Sequence, residues 1–321
     1  MHINEFKNKY KKALVTGGAG FIGSHIVDFL VKNGIETISI DNYIAGKKSN
    51  LQHLSDFSNF KEVECDVRDT DVLPDLLDGV DVVFHQAASK KNICMSDPKK
   101  DLDINGLGTL NLLQLSLEKG IKKFVHASTG SVYGEAQYIP QDENHPLCPN
   151  SYYGVSKLAG EKYVKLFNTL HGMDTTVLRY FHVYGPRQDS GEFGGVVAIF
   201  IQNAIEGRDL TIFGDGLQER SFTYVKDVVA ANIYSAVNPD SKGEVFNCAS
   251  GITVTVKELA DKVIEKINNS TSINYDDWVP GDIKKFDVSN KRIKSVLGID
   301  FETDFDRGLE ETIEIQKRNP L

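Results

Sequence analysis

The stretch TGGAGFIG, residues 16–23, sets Gly17, Gly20 and Gly23 at three-residue intervals directly behind the apolar run Ala13-Leu14-Val15. Glycine at a helix start costs about 1 kcal/mol relative to alanine, so these positions demand a compensating role. A strand, a glycine turn and a helix over 21–32 supply one. Gly17 permits the tight turn, Gly20 lets the backbone approach a pyrophosphate, and Gly23 lets the helix pack against the strand. The free N–H groups of the helix start then hold the anion. A ligand-free strand-to-helix turn would carry the same glycines, and a second cue separates the two. Asp41 closes a β-like run (36–41) 18 residues after Gly23, where an acid accepts from an adenosine ribose. A carboxylate there repels a 2′-phosphate, which favours NAD over NADP.

The rest of the first half keeps the same rhythm. Strand-like runs at 13–16, 36–41, 60–65, 81–87 and 122–128 alternate with helical patterns at 21–32, around Leu73, Leu76 and Leu77, and at 102–118. A further helix, 152–170, leads into a strand at 175–180. Near-continuous apolar strands separated by helices predict an α/β protein with a doubly wound parallel sheet of Rossmann type. After Gly185-Pro186-Arg187 the pattern loosens into short β pieces (210–213, 272–275) and shorter helices. We expect residues 1–180 to form mainly the NAD-binding domain, with a strand at 244–250 returning to it, and residues 181–321 mainly a smaller α/β substrate lobe. For 321 residues, 40% hydrophobic and 25% charged, that division is ordinary. A net charge of −9 argues against a general nucleic-acid binder, whose footprint is basic. No run approaches the roughly 18 apolar residues of a membrane span, and Asp28 and His25 break the apolar stretch behind the charged start too early for a signal peptide. The four cysteines, Cys65, Cys94, Cys148 and Cys248, form no CxxC pair, so neither a metal knot nor a disulfide framework is expected. A cytoplasmic protein is expected.

Strand ends mark the rest of the cofactor surface. Asn42 follows Asp41; Asp66-Val67 ends the third strand, where a carboxylate reaches an adenine amino group; Ala87-Ala88 ends the fourth and is small enough for a cofactor to lie across it. Asn105, early in the long helix, either caps it or serves the site. The fifth strand ends in HASTGSVYG (126–134), and SYYGVSK (151–157) opens the next helix. Tyr153 and Lys157 are four apart and share a helix face. A tyrosine is a poor base at an ordinary pKa of about 10, and lowering it to about 7 needs about 4 kcal/mol. An ammonium about 5 Å away supplies about 3 kcal/mol at an effective dielectric near 20, and a positively charged nicotinamide supplies the remainder.

With these residues in place the chain resembles, over essentially its whole length, the extended short-chain dehydrogenase/reductases of the NAD-dependent nucleotide-sugar epimerase and dehydratase family. The resemblance is carried by TGGAGFIG, Asp41, CDVRD (65–69), HQAA (85–88), STGSVYG (128–134), YGVSK (153–157), RYFHVYGPR (179–187), FGDG (213–216), Arg220 and PGD (280–282). It implies Tyr153 as acid/base, Lys157 as its tuner and a holder of the nicotinamide ribose, and Thr129 as a hydroxyl on the sugar. It implies cofactor contacts from Phe21, Ile22, Lys90 and Tyr180 beside the residues above. On the substrate side it implies Lys91, Ser131, Val197 and Asp282, with Phe213 on the nucleotide base and Arg220 on the pyrophosphate. Similar proteins form homodimers through the helices 102–118 and 152–170.

Three positions depart from the family pattern. His182 replaces an asparagine that contacts phosphate, Val279 replaces an arginine before PGD, and Ser221 replaces an aspartate after Arg220. Lys91 either compensates for these or is a solvated loop lysine. Dehydratases of this kind carry an Asp-Glu pair between the threonine and the tyrosine; here those places hold Gly130 and Ser131, neither of which transfers protons at neutral pH. The expected reaction is therefore epimerisation of a nucleotide sugar, UDP-linked, at C4 through a transient 4-keto sugar. The alternatives are a 4,6-dehydratase or decarboxylase that shares the first oxidation, a net oxidoreductase, and a non-catalytic NAD-binding regulator.

Overall fold

A computed structural model of the chain describes residues 3–89, 91–191, 194–268, 270–278 and 287–318, without the side chains of Lys91 and Asn92. Short apolar runs make the main sheet: β1 (Lys12–Thr16), β2 (Glu36–Asp41), β3 (Phe60–Glu64), β4 (Val82–His85), β5 (Lys123–Thr129), β6 (Thr175–Tyr180) and β7 (Val245–Cys248). All are parallel, in the order β7-β6-β5-β4-β1-β2-β3. The chain order reverses between β1 and β4, and a crevice opens where their carboxyl ends diverge.

Strand alternation divides the apolar residues between two cores. Val15, Phe84 and Val125 face one side, against the helices Phe21–Lys32 and Val225–Val237. Leu14, Val83 and Phe124 face the other, against Leu112, Leu113, Val164 and Phe167. More of the second half joins the sheet than the single strand expected. The helices Val225–Val237 and Lys291–Leu297 pack on the first core through Val228, Val229, Ile293 and Leu297. The remaining second-half elements build their own core around Tyr184, Phe200, Ile201, Phe222, Leu259 and Leu309.

Two helices position the site. Tyr152–His171 starts at Ser151, whose Oγ accepts from Gly154 N at 3.1 Å, and stops at Gly172 in the left-handed conformation. The expected single helix over 102–118 is instead Pro98–Leu102, a wide π-type turn at Asp103–Leu107, and Gly108–Glu118. Thr109 Oγ1 donates to the Asn105 carbonyl at 2.7 Å, and a hydroxyl inserted into the helical ladder widens it. Gly160 of the neighbouring helix abuts the same carbonyl; a Cβ there would stand 2.7 Å from it.

Paired in register on β4 and β5, His85 and His126 are wholly buried with ring centroids 5.2 Å apart. His85 bonds Thr16 Oγ1 (2.7 Å) and Thr109 Oγ1 (2.9 Å). Among the described residues neither ring nitrogen of His126 has a hydrogen-bond partner. Burial, then the charge of Lys157, pulls His85 down to about 3 and His126 well below its ordinary value. The unfolded chain therefore binds these protons at pH values where the folded chain does not. Stability is complete above about pH 6.5 and falls as pH drops below it, by up to about 1.4 kcal/mol per unit for each histidine. Replacing His126 by leucine removes a buried group without partners. We expect His126→Leu to gain about 1 kcal/mol at pH 7 and to lose less on going to pH 5, as read by denaturant unfolding at the two pH values. An unchanged pH slope would contradict this.

Candidate active site

The glycine turn is held by approaches that only glycine allows. Gly17 has φ +62°, and a Cβ on it would stand 2.8 Å from Ala87 N. A Cβ on Gly23 would stand 2.1 Å from the Gly17 carbonyl oxygen. The helix Phe21–Lys32 opens at Gly20 without a capping side chain, so its first N–H groups keep their capacity for an anion. Gly17, Gly20, Phe21, Ile22, Gly23, Ala88, Tyr153, Lys157 and Tyr180 line one stretch of the crevice. Asp41, Asn42, Asp66, Val67 and Ala87 line its continuation beyond β2 and β3.

Asp41 is nearly buried at the end of β2, and its carboxylate accepts from Ala19 N (3.0 Å) and Tyr43 N (2.8 Å). Burial pushes its pKa up, against those two backbone bonds. Asp66 is held in a fork by Arg68 (2.8 and 3.0 Å) and accepts from Asn42 Nδ2 at 2.7 Å. The Arg68 bonds pull it down to about 2. Asn42 thus orients Asp66 while it lines the crevice. An uncapped helix start, a left-handed glycine and a carboxylate beyond β2, in one continuous groove, fit a dinucleotide.

Tyr153 and Lys157 lie one turn apart on the helix Tyr152–His171 and face the groove together with Ser128. Burial pulls Lys157 down to about 8, opposed by the charges of Asp101 and Glu161. Tyr153 is pushed up to about 12, by burial first and then by Asp101 and Cys94. This corrects the expectation that Lys157 alone brings the phenol most of the way to neutrality. The chain by itself presents a protonated phenol beside a lysine, because both sit where charge is poorly solvated. Thr129 ends β5; its Oγ1 accepts from Ser131 N and donates to Ser131 Oγ, both at 3.2 Å. Below them Ser128 Oγ donates to Glu161 (3.0 Å), which is paired with Arg179; Arg179 donates to Tyr133 OH, and Tyr133 to Asn247, each at 2.6 Å.

Other expected site residues are placed differently. Asn105 does not line the groove: it is fully buried, bonded to Ser89, Asp101 and Ser156, because the π-type turn directs it into the protein. Val197 is 1% exposed in the core of the smaller lobe, since its helix, Val196–Ile205, is apolar on nearly every side. Phe213 is half exposed at the end of the strand Leu210–Phe213. Arg220 is nearly buried and donates to the Glu219 carbonyl at 3.0 Å. His182 has φ +34°, and burial followed by the charge of Arg220 pulls it down to about 3, leaving a neutral imidazole. Lys90, Asp282 and Val279 lie outside the described residues, as does the Lys91 side chain. Sequence reasoning missed Gln86, Ser89, Ile44 and Gly46, which line the groove. Gly46 packs against the predicted acid, so that a Cβ on it would stand 2.6 Å from Asp41 Oδ2.

A parallel sheet with its crevice at the chain reversal, a glycine cradle and a Tyr-x-x-x-Lys helix define a dinucleotide-dependent enzyme fold of the short-chain dehydrogenase/reductase type. The profile of the NAD dependent epimerase/dehydratase family matches residues 13–249, and the chain belongs to that family. A Methanocaldococcus jannaschii protein, provisionally named a UDP-glucose 4-epimerase, is 41% identical over 309 residues, 95% of this chain and 98% of that protein. The crystal structure of a Thermotoga maritima UDP-glucose 4-epimerase with UDP-glucose superposes with a TM-score of 0.90 at 37% identity, covering 96% of this chain and 99% of that one. A UDP-N-acetyl-alpha-D-glucosaminuronate decarboxylase from Bacillus cytotoxicus is 36% identical over 269 residues, 82% of each chain.

The carboxylate of Asp41 generates a prediction about cofactor choice. Asp41→Ala is expected to weaken NAD binding about tenfold or more, the loss of one hydrogen bond to a charged group, and to narrow the preference over NADP. Parallel titrations with both cofactors check this; equal NAD and NADP affinity in the unmodified protein would sink it.

Proposed function

We propose that this protein is an NAD-dependent 4-epimerase acting on a UDP-linked sugar. The observation that carries the choice of reaction is the packing of Gly130. An added Cβ there would stand 2.4 Å from Cε1 and 2.7 Å from Cδ1 of Phe181, which is itself buried. The place where a dehydratase carries the first of its two acids is thus filled by an aromatic ring. Ser131 holds the second place, tied to Thr129.

The glycine turn, Asp41 and Lys157 would hold NAD, which when bound would supply a hydride acceptor and donor for the sugar's C4. Tyr153 takes the proton of the C4 hydroxyl. Thr129, at the end of β5, holds that hydroxyl toward the phenol, and Lys157 stabilises the phenolate. The phenol is held at about 12 by its own surroundings; Lys157, together with the positive charge that an oxidised nicotinamide would supply, would lower it. When the 4-keto sugar presents its other face, the same phenol returns the proton. Phe213 and Arg220 receive the nucleotide base and the pyrophosphate, with the neutral His182 beside Arg220. Residues 1–180 with the returning strand form the cofactor half, and most of 181–321 the sugar-nucleotide half.

Deuterium at C4 of the substrate tests this reading. We expect the label at C4 of a product that is the C4 epimer. Label at C6, or loss of a carboxyl group from a uronic acid substrate, would replace the reading with dehydratase or decarboxylase chemistry, the second being the activity in the name of one relative.

The protein is further proposed to be a cytoplasmic homodimer. Its four cysteines are unpaired, as a reducing compartment keeps them. Tyr152, Val155, Tyr163, Leu166 and Leu170 lie on one face of their helix and are between 37% and 69% exposed. Such an apolar stripe favours burial against a second copy. Replacing both Leu166 and Leu170 by glutamate is expected to halve the mass seen in sedimentation; a monomeric unmodified protein would refute the proposal.

A further inference from the structure

Beside the Tyr153–Lys157 pair lies a carboxylate to which the mechanism gives no role. Asp101, in the helix Pro98–Leu102, is fully buried. Ser89 Oγ donates to its Oδ1, and Asn105 Nδ2 donates to the same oxygen at 3.0 Å. Asn105 Nδ2 also stands 3.0 Å from Ser89 Oγ and 2.9 Å from Ser156 Oγ, while Asn105 Oδ1 accepts from Ser89 N at 3.0 Å. Ser156 in turn donates to the Tyr153 carbonyl at 3.1 Å. The chain of bonds therefore runs from Ser89 on the groove wall, through Asn105 and Asp101, to the first turn of the helix that carries Tyr153 and Lys157.

A buried carboxylate is costly unless a cation compensates it. Lys157 is a cation on which its charge acts, sustaining the ammonium against burial, and the same charge adds to burial in raising the Tyr153 phenol. Other groups facing the pair act on one member only. Glu161 supports Lys157, Cys94 acts on Tyr153, and the neutral His85 and His126 adjoin Lys157. Asp101 alone among these reaches both.

We propose that Asp101 is a positioning residue for the Tyr153–Lys157 pair, balancing the charge of Lys157 and tying the tyrosine's helical turn to the groove wall through Asn105, Ser89 and Ser156. The proposal rests on the reading in which Tyr153 transfers the proton. In Asp101→Asn the side chain keeps its shape and loses its charge. Both Tyr153 and Lys157 then lose their protons at lower pH, so both limbs of the pH profile for reduction of bound NAD by UDP-glucose move down by about one unit. A role confined to folding would lower the amount of active protein and leave the limbs in place. The measurement uses NAD-loaded protein, with cofactor content matched between variants. If Asp101→Asn does not fold, Asp101→Ser, which is smaller and equally uncharged, is read in the same way. A profile that overlies that of the unmodified protein, while Tyr153→Phe is inactive, overturns the role of Asp101 alone. Reduction of NAD at full rate by Tyr153→Phe overturns the reading on which it rests.

Discussion

Everything in the site depends on one close approach, that of the Gly17 carbonyl to Gly23. With 2.1 Å between that oxygen and the place a Cβ would take, any side chain at Gly23 would push the helix Phe21–Lys32 off β1. The separation fixes where the helix start points, and with it the direction of its uncapped N–H groups. Asp41, at the end of the neighbouring strand β2, is built into the same turn through Ala19 N. The proposed phosphate cradle and ribose acceptor are thus one structural unit, joined by a backbone hydrogen bond.

The second organising constraint is burial of charge behind the groove. Lys157, Asp101, Glu161 and Arg179 are all nearly or fully buried, an arrangement tolerable only because each has a partner of opposite charge or a set of hydrogen bonds. At Tyr153, burial, then Asp101 and Cys94, pushes the phenol up to about 12. The Gly130–Phe181 contact is the basis of the proposed reaction, since an aromatic ring fills the place where a dehydratase carries an acid.

The features readable in the sequence were those where local geometry and chemistry coincide. Glycines at three-residue spacing, Asp41 after a β-like run, and Tyr153 four residues before Lys157 each fix position and role together. Parallel strands declared themselves because burial on both faces leaves near-continuous apolar runs. What escaped depends on contacts between distant segments. The π-type turn at Asp103–Leu107 arises from Thr109 and Gly160, and it turns Asn105 away from the groove toward Asp101. Val197 looks like a pocket residue by its place in a motif, yet its helix is drawn into the smaller lobe's core. The high phenol pKa follows from burial first and then from Asp101 and Cys94, neither of which lies near Tyr153 in sequence.

The central claim is that Tyr153 transfers the proton that accompanies oxidation at the sugar's C4. It is tested most directly by adding UDP-glucose to NAD-loaded Tyr153→Phe protein and following the near-ultraviolet absorbance of reduced cofactor in a single turnover. Losing one oxygen leaves the half-buried ring and its helix intact, so folding and NAD content should match the unmodified protein. The account predicts reduction slowed by two or more orders of magnitude, in the range of a lost general acid/base. Reduction at a rate within a few-fold of the unmodified protein would contradict it.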